Sequence, residues 1–396
     1  MSERVVTDRA TAGAVREVPF GRPMIGDEER AAVLEVLASP QLVHGPRAHA
    51  FEEAFAALLG QDAHATTVSS CTAGLHLVYM HLGIGPGDEV IVPAETHVAT
   101  AHAVEITGAT PVFVDCERAT GNIDVAAIER ALTPRTKAIS VVHYPGLPVD
   151  VAAVNALARP RGLFVVEDCA LAVGASLDGV ACGLLGDVGV FSFYPVKHLT
   201  TAEGGMVVSR HADVVASIAN IKAFGYDRTP AARKIPGVYN IARLGLNYRM
   251  NELAAAIGLE QVKKAGSLQR RRNANTAALR RALASLPGIT LLAAGDSRRV
   301  HANYCLVVVL DDLLAPKRAA ILESMKAAGI GTSVYYPVPI PLSTYYQTKY
   351  GARPEAFPNA ARISDQSIAL PVGPHLDESD MAQVASALAH ALEVAR

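Results

Sequence analysis

Lys197 has the setting that most clearly calls for chemistry. It follows an apolar run at residues 188–193 and a proline at 195. It precedes a Gly pair and a second apolar run, Gly204-Gly205-Met206-Val207-Val208. An ammonium held between two core strands is costly unless it is paired or discharged. Linking the amine to an aldehyde as an imine removes that cost, and Lys is the usual nucleophile for carbonyl substrates and for pyridoxal phosphate. A second candidate lies upstream, where Leu163-Phe164-Val165-Val166 reads as a short buried strand ending in Glu167-Asp168. Open α/β sheets bind ligands at the C-terminal ends of parallel strands. Asp168, placed there, can face a pyridine nitrogen and keep it protonated, the condition for the ring to act as an electron sink.

The surrounding chain predicts elements that position these two groups. Thr66-Thr67-Val68 reads as a strand, and Ser69-Ser70-Cys71-Thr72-Ala73-Gly74 opens a helix running to Leu82. Strand, small polar turn, then helix is the pattern of a phosphate site, because free N–H groups and hydroxyls converge at the helix start. Taken alone the pattern equally describes an ordinary Ser/Thr N-cap. Further strands are expected at 90–92, 110–115, 138–143 and 163–166, alternating with helices, which argues an α/β chain with a mostly parallel sheet. His97 sits at another loop-to-helix junction, where an unliganded helix-start His is the plain alternative. His97 and His102 lack the i, i+4 spacing of a helical metal pair, so no metal site is assigned. The Gly-rich stretch 179–189 lacks GxGxxG and precedes a strand, which argues against a dinucleotide site.

From about Pro287 the pattern changes. Strands are expected at 289–292, 304–310 and 332–336 around a helix at 317–328, followed by a last helix at 377–392, giving a compact α+β unit. Asn251 caps the helix that joins the two parts. That helix carries the one basic cluster, Lys263, Lys264, Arg270, Arg271, Arg272, Arg280 and Arg281, which reads as a solvated face rather than a nucleic-acid surface.

Composition narrows the classes. The chain has 396 residues, half of them apolar, which is enough for a large core and two subdomains. A net charge of −2 argues against a nucleic-acid or membrane binder. The five cysteines are odd in number and lack CxxC spacing, which fits free thiols in a cytoplasmic protein. No apolar signal segment opens the chain, and no stretch is long and apolar enough to span a bilayer.

Five blocks in order, Arg22-Pro23-Met24-Ile25-Gly26, residues 87–93, Val166-Glu167-Asp168 through Lys197 to Glu203-Gly204-Gly205-Met206, Gly245-Leu246-Asn247-Tyr248-Arg249-Met250, and Leu370-Pro371, resemble the DegT/DnrJ/EryC1/StrS family. The resemblance runs from about Arg22 to the end. It implies a type I aminotransferase fold, with a mostly parallel seven-stranded sheet in a large domain, residues 21–262. A smaller C-terminal α+β domain at 263–396 and a flexible leader at 1–20 complete the expected division. It implies a pyridoxal 5'-phosphate enzyme, cycling through pyridoxamine 5'-phosphate, that moves an amino group from an amino acid, usually L-glutamate, to a nucleotide-linked keto sugar. In the family's terms Lys197 carries the cofactor and Asp168 faces its ring nitrogen. Ser70, Cys71, Thr72 and Ser192 hold its phosphate, His97 stacks on its ring, and Asn247 reaches across a homodimer with shared active sites. Cys71, His97, Leu171, His198 and Tyr335 depart from the family's commoner residues and leave the substrate open. Two alternatives stand beside this reading. A pyridoxamine-phosphate-dependent sugar dehydratase is disfavoured by Lys197, because that branch replaces it with His. A non-catalytic or cofactor-free binding protein is disfavoured because both Asp168 and Lys197 are kept.

Overall fold

The computed structural model describes residues 16–228, 232, 234, 235 and 237–396, so most of the expected leader, residues 1–15, lies outside the described residues. Five strands of the central sheet come in succession: β1 (His64–Val68), β2 (Glu89–Pro93), β3 (Thr110–Val114), β4 (Thr136–Val142) and β5 (Phe164–Asp168). A short hairpin of β6 (Ser176–Leu177) and β7 (Val180–Ala181) follows, then β8 (Val188–Ser192) and β9 (Gly205–Ser209) complete the sheet. The spatial order is β1-β9-β8-β5-β4-β2-β3. Within it only β9 runs against its neighbours. This is the mostly parallel, seven-stranded sheet that the resemblance implies. Its inner strands read as near-continuous apolar runs because helices cover both faces.

The order places the chemistry. β1, β5 and β8 end at one edge of the sheet, and β9 begins there because it is antiparallel. Ser70, Asp168, Ser192 and Gly205 therefore meet at that edge, although they come from distant parts of the chain. Below the Lys197 turn the edge is filled by Phe51, Phe55, Phe191 and Phe193, whose ring centroids lie 5.0–5.3 Å apart in three tilted or edge-on pairs. Such pairs fix ring positions as well as burying area.

The C-terminal part holds β10 (Ile289–Leu291), β11 (Arg299–Val300), β12 (Leu306–Leu310) and β13 (Ser367–Leu370). β10, β12 and β13 form an antiparallel sheet, while β11 joins the β6–β7 hairpin. Residues 332–336, expected as a strand, are not one. Only Ser333 pairs, with Ala369, and the chain then turns toward the sheet edge as Tyr335 and Tyr336. The place beside β12 belongs instead to β13, too short and too close to Pro371 to read as a strand. Leu279, Val308, Ile321, Ile368 and Val384 form the core of this part, and Val18 is buried with them, paired to Ile330.

The joining helix spans Glu252–Leu283, with Asn251 Oδ1 accepting from the Ala254 N–H at 2.9 Å. Its basic residues are not a uniform solvated face. Arg272 is buried and donates from Nη1 to the Tyr304 carbonyl at 2.7 Å, and Arg280 donates to the Leu292 carbonyl at 2.7 Å. The helix runs against both parts of the molecule, so some of its cations must turn inward. Among the described residues, no helix is long and apolar enough to cross a membrane.

Candidate active site

Asp168 closes β5. It is 3% exposed, and its Oδ2 accepts from the Thr100 hydroxyl at 2.7 Å while Oδ1 accepts from the Ala170 N–H at 3.1 Å. Thr100 comes from the first turn of the helix Val98–Ile106, and its hydroxyl also meets that of Thr96 at 2.8 Å. The Cys71 thiol stands 3.9 Å from Asp168 Oδ1, so the helix start after β1 adjoins the carboxylate. Burial and the Asp168 charge hold that thiol well above its usual pKa. Cys71 is thus a neutral wall residue, not a nucleophile.

Lys197 lies in the turn after β8, fixed by its N–H to the Tyr194 carbonyl at 2.9 Å. Its ammonium stands 5.1 Å from the centre of the Tyr304 ring and, among the described residues, makes no hydrogen bond or ion pair. Burial lowers its pKa, with the Asp168 charge pulling the other way. That lowering favours the uncharged amine, the form that attacks a carbonyl. Tyr304 was not legible as a site residue. Its hydroxyl meets that of Tyr335 at 2.7 Å, and the Tyr144 hydroxyl donates to the Tyr335 carbonyl.

The helix Cys71–His81 opens at the same edge. Ser70 Oγ accepts from the Ala73 N–H at 3.1 Å, and the Ser70 carbonyl accepts from the Gly74 N–H at 3.0 Å. The Cys71 and Thr72 N–H groups, as the first of the helix, have no carbonyl within it to meet. A Cβ on Gly205 would stand 2.7 Å from the Cys71 nitrogen, so only glycine lets β9 start this close to the turn. Ser192, on β8, accepts from the Tyr194 N–H at 3.4 Å. This donor set suits a ligand with an aldehyde, a basic ring nitrogen and a phosphate.

His97 is an exposed N-cap: its Nδ1 accepts from the Ala99 N–H at 3.2 Å, and its ring meets Tyr336 edge-on at 5.8 Å. Asn247 is exposed and makes no hydrogen bond to the other candidates; its backbone pairs with Ala223. The loop does run beside the cradle, since the Tyr248 carbonyl accepts from the Ser69 N–H at 2.8 Å. The structure thus brings together Ser70, Cys71, Thr72, Asp168, Ser192 and Lys197, and leaves Asn247 facing outward. Sequence reading missed Thr100 and Tyr304, which lie 68 and 107 residues from the groups they serve and carry no local motif.

One other cluster has metal-ligand composition, His143, Glu167 and Cys169, with ligand atoms within 4.8 Å of one another. Its groups are already used. His143 Nδ1 accepts from the Val149 N–H at 3.1 Å, which leaves the proton on Nε2 for Glu167 at 2.9 Å. Burial and the neighbouring Glu167 charge hold the Cys169 thiol up, so it is protonated. His143 and Glu167 have no lone pair left for a cation, and the protonated thiol is a poor ligand.

The DegT/DnrJ/EryC1/StrS aminotransferase family matches residues 23–389. The chain is 37% identical over 376 residues to the spore coat polysaccharide biosynthesis protein SpsC of Bacillus subtilis, covering 94% of this chain and 96% of SpsC. Among solved structures it resembles Helicobacter pylori PseC, an aminotransferase involved in pseudoaminic acid biosynthesis. That match has 30% identity and a TM-score of 0.88 over 96% of this chain and 100% of that one. The match to Spr1654 of Streptococcus pneumoniae, at 26% identity and a TM-score of 0.90, covers 96% of this chain and 100% of that one. Spr1654 has been solved in both PLP and PMP forms. With the edge geometry and the match over nearly the whole length, the chain belongs to the DegT/DnrJ/EryC1/StrS family and is a pyridoxal-phosphate-dependent sugar aminotransferase.

Proposed function

We propose that the enzyme moves the amino group of L-glutamate to a keto group of a nucleotide-linked sugar, as a cytoplasmic homodimer with shared sites. The observation that carries this reading is the meeting of a hydroxyl-held Asp168 and an unpaired Lys197 at one sheet edge. When bound, pyridoxal phosphate supplies the aldehyde and an electron-poor ring that takes up charge when a C–H bond breaks. Lys197 Nζ would hold the group through its aldehyde carbon and, when freed, would take up and return a proton as the amine base. Asp168 keeps the ring nitrogen protonated, and Thr100 holds Asp168 in place. Ser70, Cys71, Thr72 and Ser192 hold the phosphate, Asn247 reaches the phosphate of the neighbouring subunit's site, and His97 covers the ring. Residues 21–262 and 263–396 act as the two domains between which donor and acceptor enter.

The test is an absorbance spectrum of the protein with added pyridoxal phosphate, before and after L-glutamate, repeated on Lys197→Ala. The expected result is a visible band that fades with glutamate and is absent from the variant. No band in folded wild type with excess cofactor overturns the reading of Lys197. A free keto sugar that accepts the amino group as well as its nucleotide-linked form overturns the choice of acceptor.

A further inference from the structure

Tyr304 is held at its hydroxyl, its carbonyl and its ring. It is 4% exposed, and its hydroxyl meets that of Tyr335 at 2.7 Å. Its carbonyl accepts from Arg272 Nη1 at 2.7 Å. The Tyr335 ring stands edge-on to it with centroids 5.3 Å apart, and the His198 ring meets it at 5.7 Å. Tyr335 is itself tied down, since its carbonyl accepts from the Tyr144 hydroxyl. The ring so fixed is turned with its face to Lys197 Nζ, which stands 5.1 Å from the ring centre. That lies inside the reach of about 6 Å within which a cation is drawn to an aromatic face.

The other groups around the ammonium offer it little. Asp168, at the end of β5, raises the Lys197 pKa but forms no ion pair with it among the described residues. When the cofactor is bound, its ring nitrogen claims that carboxylate. Cys71, at the helix start, and Cys305, just before β12, help the ammonium only as thiolates. Burial holds both thiols up, Cys305 to about 12, so they carry no charge near neutrality. His97 and His198 are shifted toward neutral by burial. Arg272, on the joining helix, is a cation and offers no pairing. Burial also pushes the Tyr304 hydroxyl well above its usual range and that of Tyr335 up to about 12, so both stay protonated. What faces the ammonium is therefore a neutral aromatic ring.

We propose that the face of the Tyr304 ring seats the Lys197 ammonium whenever that amine is free, holding it near the reacting carbons while it carries a proton. Tyr304 is a positioning residue: no proton passes to it, the proton stays on Nζ, and the ring lowers the cost of the charge. A carboxylate at this place would hold the ammonium protonated too firmly to give the proton back. An aromatic face attracts the cation more weakly and accepts no proton from it, so it suits a base that must both take up and return one. The proposal rests on the aminotransferase reading above and adds the residue that holds the freed amine.

The experiment titrates Lys197 in the full-length, cofactor-free protein by NMR, with 13C at the lysine Cε positions and Lys197→Ala to identify the signal. Tyr304→Phe keeps the ring face and removes the hydroxyl; Tyr304→Leu removes the face. A third series places phenylalanine with one, two or three ring fluorines at position 304, which keeps the shape of the ring and drains its face of electron density. Losing the face removes a stabiliser of the charged form, so the midpoint must move down. Tyr304→Leu is expected to lower it by about 0.5–1.5 pH units, while Tyr304→Phe leaves it near the wild-type value. The fluorinated series is expected to lower it stepwise with each fluorine. A midpoint that stays flat across that series overturns the proposal, and the series decides the matter if Tyr304→Leu fails to fold. A fall in Tyr304→Phe as large as in Tyr304→Leu assigns the effect to the hydroxyl and also overturns it. The titration needs neither cofactor nor substrate, so its failure stays distinct from failure of the band experiment.

Discussion

Glu167 and Asp168 are consecutive on β5, both carboxylates, at 0% and 3% exposure. Strand alternation turns them to opposite faces of the sheet. Glu167 accepts from the Gly183, Leu185 and Gly186 N–H groups at 2.7–2.8 Å and from His143 Nε2 at 2.9 Å. A carboxylate has about four lone-pair sites, so Glu167 is saturated. It locks the loop before β8 onto the sheet. Asp168 accepts one hydroxyl and one N–H, with a thiol at 3.9 Å, and keeps capacity for a further donor. Burial alone therefore does not identify a chemical carboxylate; unspent hydrogen-bonding capacity does.

The comparison breaks if the two acids respond alike to losing their charge. Asp168→Asn is expected to cut turnover by about 10²–10⁴-fold while the melting transition hardly moves. Glu167→Gln presents an NH₂ group to N–H donors and unpairs His143. It is expected to cost about 3 kcal/mol or more in denaturant unfolding, with the remaining folded fraction still active. Equal loss of activity at constant stability in both variants would dissolve the distinction.

A smaller effect sharpens it. Thr100→Val removes the hydroxyl from Asp168 Oδ2 and keeps the shape of the helix turn. Turnover is expected to fall about tenfold, and cofactor affinity to fall with it, at nearly constant stability. A variant indistinguishable from wild type in single-turnover kinetics would leave Asp168 positioned by β5 alone.

The smallest effect is a titration. Burial lowers the Lys197 pKa below the ordinary 10.5, and the Asp168 charge raises it in part. Trapping of pyridoxal phosphate on Lys197 by borohydride, followed against pH in the cofactor-free protein, should have its midpoint below 10.5. Removing the Asp168 charge takes away the raising effect, so Asp168→Asn should move that midpoint further down. Glu167→Gln should leave it in place, because Glu167 is not among the groups that shift Lys197. A midpoint that stays in place in Asp168→Asn would put the two groups out of electrostatic reach, and one that rises would contradict the sign of their coupling.

Much of this was open to reading along the chain. The strands of the central sheet were legible because both faces are covered, which writes them as apolar runs bounded by turns. β13 was not, since four residues beside a proline carry no period; the β12 edge, some sixty residues away in sequence, makes them a strand. The inward turn of Arg272 and Arg280 was hidden for a related reason. A helix pressed from two sides has no single solvated face, and sequence shows only that the residues are basic.

The sequence by itself determined the chemistry: one amine after a buried strand, one acid at a strand end, and a small polar turn opening a helix. These are local facts, set by residue type and spacing over a few positions. The tertiary structure decided which of two adjacent acids keeps free capacity, that Thr100 holds it, that the Tyr304 ring faces the amine, and that Arg272 turns inward to the Tyr304 carbonyl. Each of these depends on pairing between segments 30 to 110 residues apart. Such pairing is fixed by strand order and by the packing of one part against the other, neither of which a local pattern encodes.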